Sequence, residues 1–267
     1  MLLAILIVLG AGAAAALVFA LVQRRTHAPL LLDSGRGRGM IQVVGTSFAV
    51  LLAFVILAAF QTYNDARAAA GSEATAVLDM ARTAALFPTA QRDQLRGDLI
   101  CYGRAVVREE WPAMRAGNGS PLVDRWIAAY RALFGRLDVH TTREQLALGE
   151  LLSLAATRTA GRQQRLDDDT PTIPTPLWLA LIFGGSVAVA LQISVVDPRE
   201  RFSVLGPMIA GVAGVVAAGL LVVYFLDHPY QSHTGGIQPS AMRQTLTTVQ
   251  NLDPGLRPAC SPSGLPV

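Results

Sequence analysis

The chain has 267 residues, 52% hydrophobic and only 15% charged, with a formal net charge of +3. Soluble domains carry about 25% charged residues, so the deficit places much of the chain in lipid, and the small, dispersed positive balance excludes nucleic acid as a partner. All 22 basic residues are arginine, and the two cysteines, Cys101 and Cys260, are too few for a disulfide scaffold and lack the spacing of a zinc site.

In chain order, four stretches are free of charge over roughly twenty residues, the length that crosses a hydrocarbon core. They are residues 2–22, 40–60, 176–196 and 202–226. The first is too long for a signal peptide, and Arg24 and Arg25 follow it rather than precede it, so it reads as a retained helix. The fourth contains Pro207, which is best tolerated in a first helical turn; its helix is expected to begin near Gly206, with residues 201–205 as an interfacial bend. Small residues recur at every fourth position in each span, and Gly206, Ala210, Gly214 and Ala218 form the best packing seam. No span carries an ionisable residue, which argues against a proton relay or charge-coupled transport.

Residues 61–175 are polar and read as helical. Residues 63–86 continue the second span as one long helix. Next comes a helix from Thr89 to Pro112, with Leu95, Leu99, Tyr102 and Val106 on its apolar face, and then one over 124–137, with Trp126, Tyr130, Leu133 and Leu137 in the same pattern. A further helix opens on the capping box Thr142-x-x-Gln145 and runs to about Arg165. In its last turns Arg158, Arg162 and Arg165 complement the negative end of the helix dipole. The fold is therefore predicted to be all-α, an integral membrane protein with four transmembrane helices and an extramembrane helical bundle. Residues 1–60 form one hairpin, 61–175 the bundle, 176–226 a second hairpin, and 227–267 a tail with one short amphipathic helix.

The loop between the first two spans carries Arg24, Arg25, Arg36 and Arg38 against Asp33, and the loop between the last two carries Arg199 and Arg201. The positive-inside rule puts both loops in the cytoplasm, and the bundle and both termini outside. There Cys101 and Cys260 share an oxidising side, where a disulfide is open to them; two unrelated cysteines is the plainer reading.

Asp227, His228 and His233 could ligate a metal, but they fall where a helix leaves the bilayer, with Pro229 to stop it and Tyr230 as an interfacial anchor. A helix collar is the preferred reading, with no metal and no cofactor. Tyr63, Asp65 and Glu73 hold the matching place after the second span, either bonded to arginines of the bundle or as a solvated face. Phe48, Leu52, Ile56 and Phe60 recur at i+4 along the second span. They could ring a pore and gate it by dewetting, or they could face lipid. The glycine-rich SGRGRGM (34–40) follows no strand and GTSFA (45–49) lacks a second glycine, so neither is a phosphate loop or a nucleophile elbow. With no catalytic constellation in the sequence, the expectation is that the protein is not an enzyme.

Three stretches resemble a bacterial family described as bestrophin-like: LLAFVILAAFQTYNDARAAAGSEA (51–74), YGRAVVREEWPAM (102–114) and LDHPYQSHTGGIQPSAM (226–242). The matching positions are Tyr63, Asp65, Ala66, Glu73 and Ala74, then Glu110, Trp111 and Pro112, then Asp227, Pro229, Gly236 and Pro239, with Tyr230 where the family tends to have phenylalanine. The resemblance covers nearly the whole chain. It implies a homo-oligomer in the bacterial inner membrane, conducting a small anion through a pore lined by the second span. The alternative is a non-conducting sensor or scaffold that presents the bundle to a partner. Bestrophins keep both termini and the helical insert in the cytosol, opposite to the arginine count.

Overall fold

The computed structural model describes residues 2–25, 34–195, 201–231 and 235–267. Among these every named element is helical, and the only β pairing is an isolated bridge between Cys260 and Pro266. In order they are α1 (Leu2–Arg25), α2 (Ser34–Thr83), a 3-10 turn (Ala84–Leu86), α3 (Thr89–Ala105), a π turn (Val106–Glu110), α4 (Trp111–Met114), α5 (Pro121–Phe134), α6 (Thr142–Asp167), α7 (Thr175–Val195), α8 (Phe202–Asp227) and α9 (Ser240–Leu252). Four are long and apolar enough to span a membrane, over Leu2–Arg25, Ile41–Leu86, Thr175–Ser194 and Phe202–Asp227.

The chain forms two compact units. The first is built chiefly from Met1–Thr62 and Pro171–Asp227, and the second from Tyr63–Thr170, His228–Ser232 and Gly236–Val267. α2 is a continuous 50-residue helix whose two parts belong one to each unit.

The first unit is held by small-residue contacts, as helix association in lipid requires. α1 runs against α8 so closely that a Cβ on Gly12 would sit 2.9 Å from the Ala210 carbonyl oxygen, while Val8 reaches to the Gly214 site. Gly206 is covered by the Phe202 ring and Ala218 is half-buried. Phe202 stacks on Phe19 of α1. α8 departs from expectation. It starts at Phe202 rather than Gly206, and Pro207 lies inside it. The helix survives because a proline this near the start removes only one intrahelical bond, and the first turn is closed by Val204 and Leu205 donating to the Arg201 carbonyl.

The second unit has a core made of one face from each helix, including Met80, Leu99, Tyr102, Trp111, Tyr130, Leu151 and Tyr230. Three local corrections follow. The helix expected to stop at Pro112 instead widens into the π turn 106–110 and continues to Met114. The wider turn resets the bonding pattern just before a residue that has no N–H and whose ring crowds the preceding turn. α5 begins at Pro121, three residues before its expected start, with the proline in the first turn. The capping box of α6 is one residue earlier than expected: Thr141 accepts from the Glu144 N–H, and the Glu144 carboxylate accepts from the Thr141 N–H.

Cys101 and Cys260 are joined by a disulfide, so the plainer reading of two unrelated cysteines fails. It ties the C-terminal segment to α3, where Arg104 donates to the Cys260 carbonyl and the Trp126 indole donates to the Gly264 carbonyl at 2.7 Å. Gly264 has a φ of +85°, and a Cβ there would meet the Ala105 backbone nitrogen at 2.7 Å. Only glycine suits that position.

Candidate functional site

The chemistry-bearing side chains of the second unit converge on one face of α6. Arg158, Arg162 and Arg165 are spaced i, i+4, i+7 and so share a side of the helix. The expectation is that they complement the helix dipole; the structure adds that this side of the helix is turned into the bundle. Arg158 and Arg165 are buried, and the side chain of Arg162 is nearly so.

Each guanidinium has its own surroundings. Arg165 lies between two buried carboxylates, with Nε 2.6 Å from Glu73 of α2 and Nη2 2.6 Å from Glu110 of the π turn, and its guanidinium stacks over the Trp111 ring. Arg162 chelates Glu110 with Nε and Nη2 and reaches Asp124 of α5 with Nη1 at 2.8 Å. The Tyr102 hydroxyl donates to Glu73 at 2.5 Å. Arg158 meets no carboxylate among the described ion pairs. It packs against the rings of Tyr102 and Tyr130.

Burial pulls the Glu110 carboxyl upward, but the hydrogen bond from Arg162 and the charges of Arg165 and Arg162 outweigh it and hold the group below the usual carboxylate range. Burial raises the Tyr102 phenol well above its ordinary value, and the neighbouring Glu73 charge adds to that. Arg165 is pulled down by burial, yet Glu73 and Glu110 carry it above the ordinary value. Both oxygens of Glu73 and of Glu110 are engaged. The network therefore holds the helices in register, and neither carboxylate is available as a general base.

The six residues expected to form an exit cluster are divided. Glu73 belongs to the arginine network. Tyr230 is not an interfacial anchor; it is buried, its hydroxyl donates to the Ala66 carbonyl at 2.7 Å, and its ring meets Trp111 edge-on. Asp65 is exposed and lines an open pocket of about 490 Å³ with Ser72 and Gln164, whereas Tyr63 borders another with Arg67 and Gln244. His228 is half-buried. Asp227, at the end of α8, is buried and caps the approach to α7, accepting from the backbone N–H groups of Thr172 and Ile173 at 2.9 and 3.0 Å. No group of three metal-ligating side chains exists among the described residues, and His233 lies outside them.

The i+4 stripe of α2 is mostly turned inward. Phe48 is buried and lies over Gly184 and Gly185 of α7, Leu52 sits against Gly219 of α8, and Ile56 is half-buried. Phe60 is exposed, and the outward side of α2 presents Val43, Val50, Phe54 and Leu57.

Of the two readings open for Glu73, bonding to an arginine of the bundle is the one the structure shows, whereas sequence reasoning missed the buried role of Glu110 and the burial of the α6 arginines. The signal was there in part: a 3-4 repeat of one basic residue marks a face, but nothing local says whether that face meets water or carboxylates.

A family model described as a Bestrophin-like domain matches residues 5–242. Among curated proteins none matches significantly. Solved structures of a bacterial bestrophin homologue from Klebsiella pneumoniae share the fold. One point variant is 12% identical, with a TM-score of 0.69 over 93% of this chain and 98% of that one. A second is 13% identical, with 0.67 over 92% and 97%. A structure phased on zinc is 14% identical, with 0.65 over 93% and 98%.

Proposed function

The chain belongs to the bestrophin-like family of integral membrane proteins, and from that premise we propose that it is a homo-oligomeric channel for small anions in the bacterial inner membrane, with α2 lining the pore. The observation that carries this reading is the outward apolar face of α2. Phe54 and Val43 are each 67% exposed, and Val50 and Leu57 are 50% and 53%, at the 3-and-4 spacing that faces one side of a helix. Copies arranged around an axis would cover this face and leave an apolar constriction that gates by dewetting. Phe48, Leu52 and Ile56 then back the pore wall, seating α2 on α7 and α8, and Phe60 continues the axial face. Under the second reading, a non-conducting scaffold, the same outward face of α2 meets lipid.

The proposed orientation places the bundle and both termini outside the cytoplasm. Arg24 and Arg25 at the end of α1 and Arg201 at the start of α8 support it, as does the Cys101–Cys260 disulfide, a bond typical of oxidising compartments.

Halide flux through purified protein in liposomes tests the channel reading, with Phe54→Ala beside wild type and Phe48→Ala as the packing control. Conductance that rises in Phe54→Ala supports a pore lined by α2. A monodisperse monomer or dimer, tight to halide in all three forms, would favour the scaffold.

A further inference from the structure

Arg158 is the guanidinium the network leaves over. It is 1% exposed, its Nε has no hydrogen-bond partner, and its Nη2 donates to the Thr159 hydroxyl at 2.9 Å. Arg131 of α5 donates to the same oxygen at 3.2 Å. That hydroxyl is already committed, because its proton goes to the Ala155 carbonyl at 2.7 Å. Two permanent cations therefore converge on one neutral oxygen, and no described ion pair includes either of them. The Tyr130 hydroxyl is buried beside the Arg158 guanidinium and is the one neutral acceptor it has besides Thr159 among the described contacts. The aromatic faces of Tyr102 and Tyr130 offset part of the Arg158 charge, but they supply no negative charge.

Beside this pair lies an open groove of about 500 Å³ between α5 and α6, within the usual size of a small-molecule site. Arg131 closes one side. The rest of the lining is Phe134, Leu148, Leu152, Ala155 and Ala156, with Gly135, and no acid is among them. Leu152 is 54% exposed, an apolar side chain open to solvent next to a surplus of positive charge.

We propose that the α5–α6 groove binds a small organic carboxylate with an apolar body, its carboxylate held by Arg131, with the buried charge of Arg158 behind the groove wall, and its hydrocarbon lying on Phe134, Leu148 and Leu152. A guanidinium fork suits a carboxylate, and the groove walls suit a short chain or ring. A bare inorganic anion would leave those walls unused. The site lies wholly in the second unit and is independent of whether the protein conducts.

The test is calorimetric titration of the full-length protein in lipid nanodiscs with hexanoate. Hexanamide serves as the neutral analogue, and acetate as the analogue without a body. Arg131→Gln and Leu152→Glu, both at exposed positions, are titrated in the same way, so that uptake of hexanoate by lipid cancels in the comparison. The expected result is saturable hexanoate binding, about one per chain, weakened at least tenfold in each variant and for each analogue. Hexanoate binding unchanged in Arg131→Gln, or absent in wild type, overturns the site. Hexanamide or acetate binding as tightly as hexanoate overturns its proposed chemistry.

Discussion

Arg165 shows why a charge is tolerated inside the second unit. Taking an ion out of water costs several kcal/mol unless its partners are close and well aligned, and here Glu73 and Glu110 meet the two sides of one guanidinium, each at 2.6 Å. Removing the cation alone strands two buried carboxylates. Arg165→Gln is therefore expected to cost about 3–5 kcal/mol of stability, read as a lowered thermal midpoint, and adding Glu73→Gln should restore part of the loss. An equal loss in the single and double variants would mean the pair is not coupled. The basic spacing on α6 was legible as a helix face. Its burial was not, because Glu73 and Glu110 lie 92 and 55 residues away along the chain.

Among elements, α2 and α6 approach closely in the bundle. A Cβ at Gly161 would lie 2.9 Å from the Glu73 backbone nitrogen and 3.0 Å from the Ala69 carbonyl oxygen. Backbone atoms cannot swing aside, so the two helices would have to part. Gly161→Ala is expected to destabilise by about 1–3 kcal/mol. Gly149, in the same helix with nothing within 4 Å, provides the contrast: Gly149→Ala should stabilise by about 0.5–1 kcal/mol through helix propensity alone. Chemical denaturation of both variants checks the pair, and equal effects would remove the close-packing account. Helix existence was readable from apolar periodicity, including the continuation of α2 beyond its span. Helix ends were less so. The π turn at 106–110, the start of α5 at Pro121 and the cap at Thr141 each depend on how neighbouring backbone groups are satisfied, which a single-residue shift alters without changing the pattern.

For the molecule as a whole, the disulfide joins positions 159 residues apart, but other contacts also hold the C-terminal segment, among them Trp126 to Gly264 and Arg104 to Cys260. Reduction should therefore loosen the tail without melting the bundle. Reduced protein, and a Cys101→Ser, Cys260→Ser variant, should show faster proteolysis after α9 with nearly unchanged helicity by circular dichroism. Loss of helicity on reduction would instead make the bond a condition of the bundle's folding.

By itself the sequence determined the class of this protein: all-helical, membrane-integrated, with four spans and a polar helical insert. These are sums over contiguous residues, since the cost of a charge in lipid and the length of an apolar run are both set locally. Only the tertiary structure decided that Phe48 packs inward while Phe54 faces out, that Cys101 meets Cys260, and that Arg158 has no carboxylate partner among the described residues. Each of those is a question of which distant segment lies opposite, and a helical sequence specifies a face long before it specifies what that face will touch.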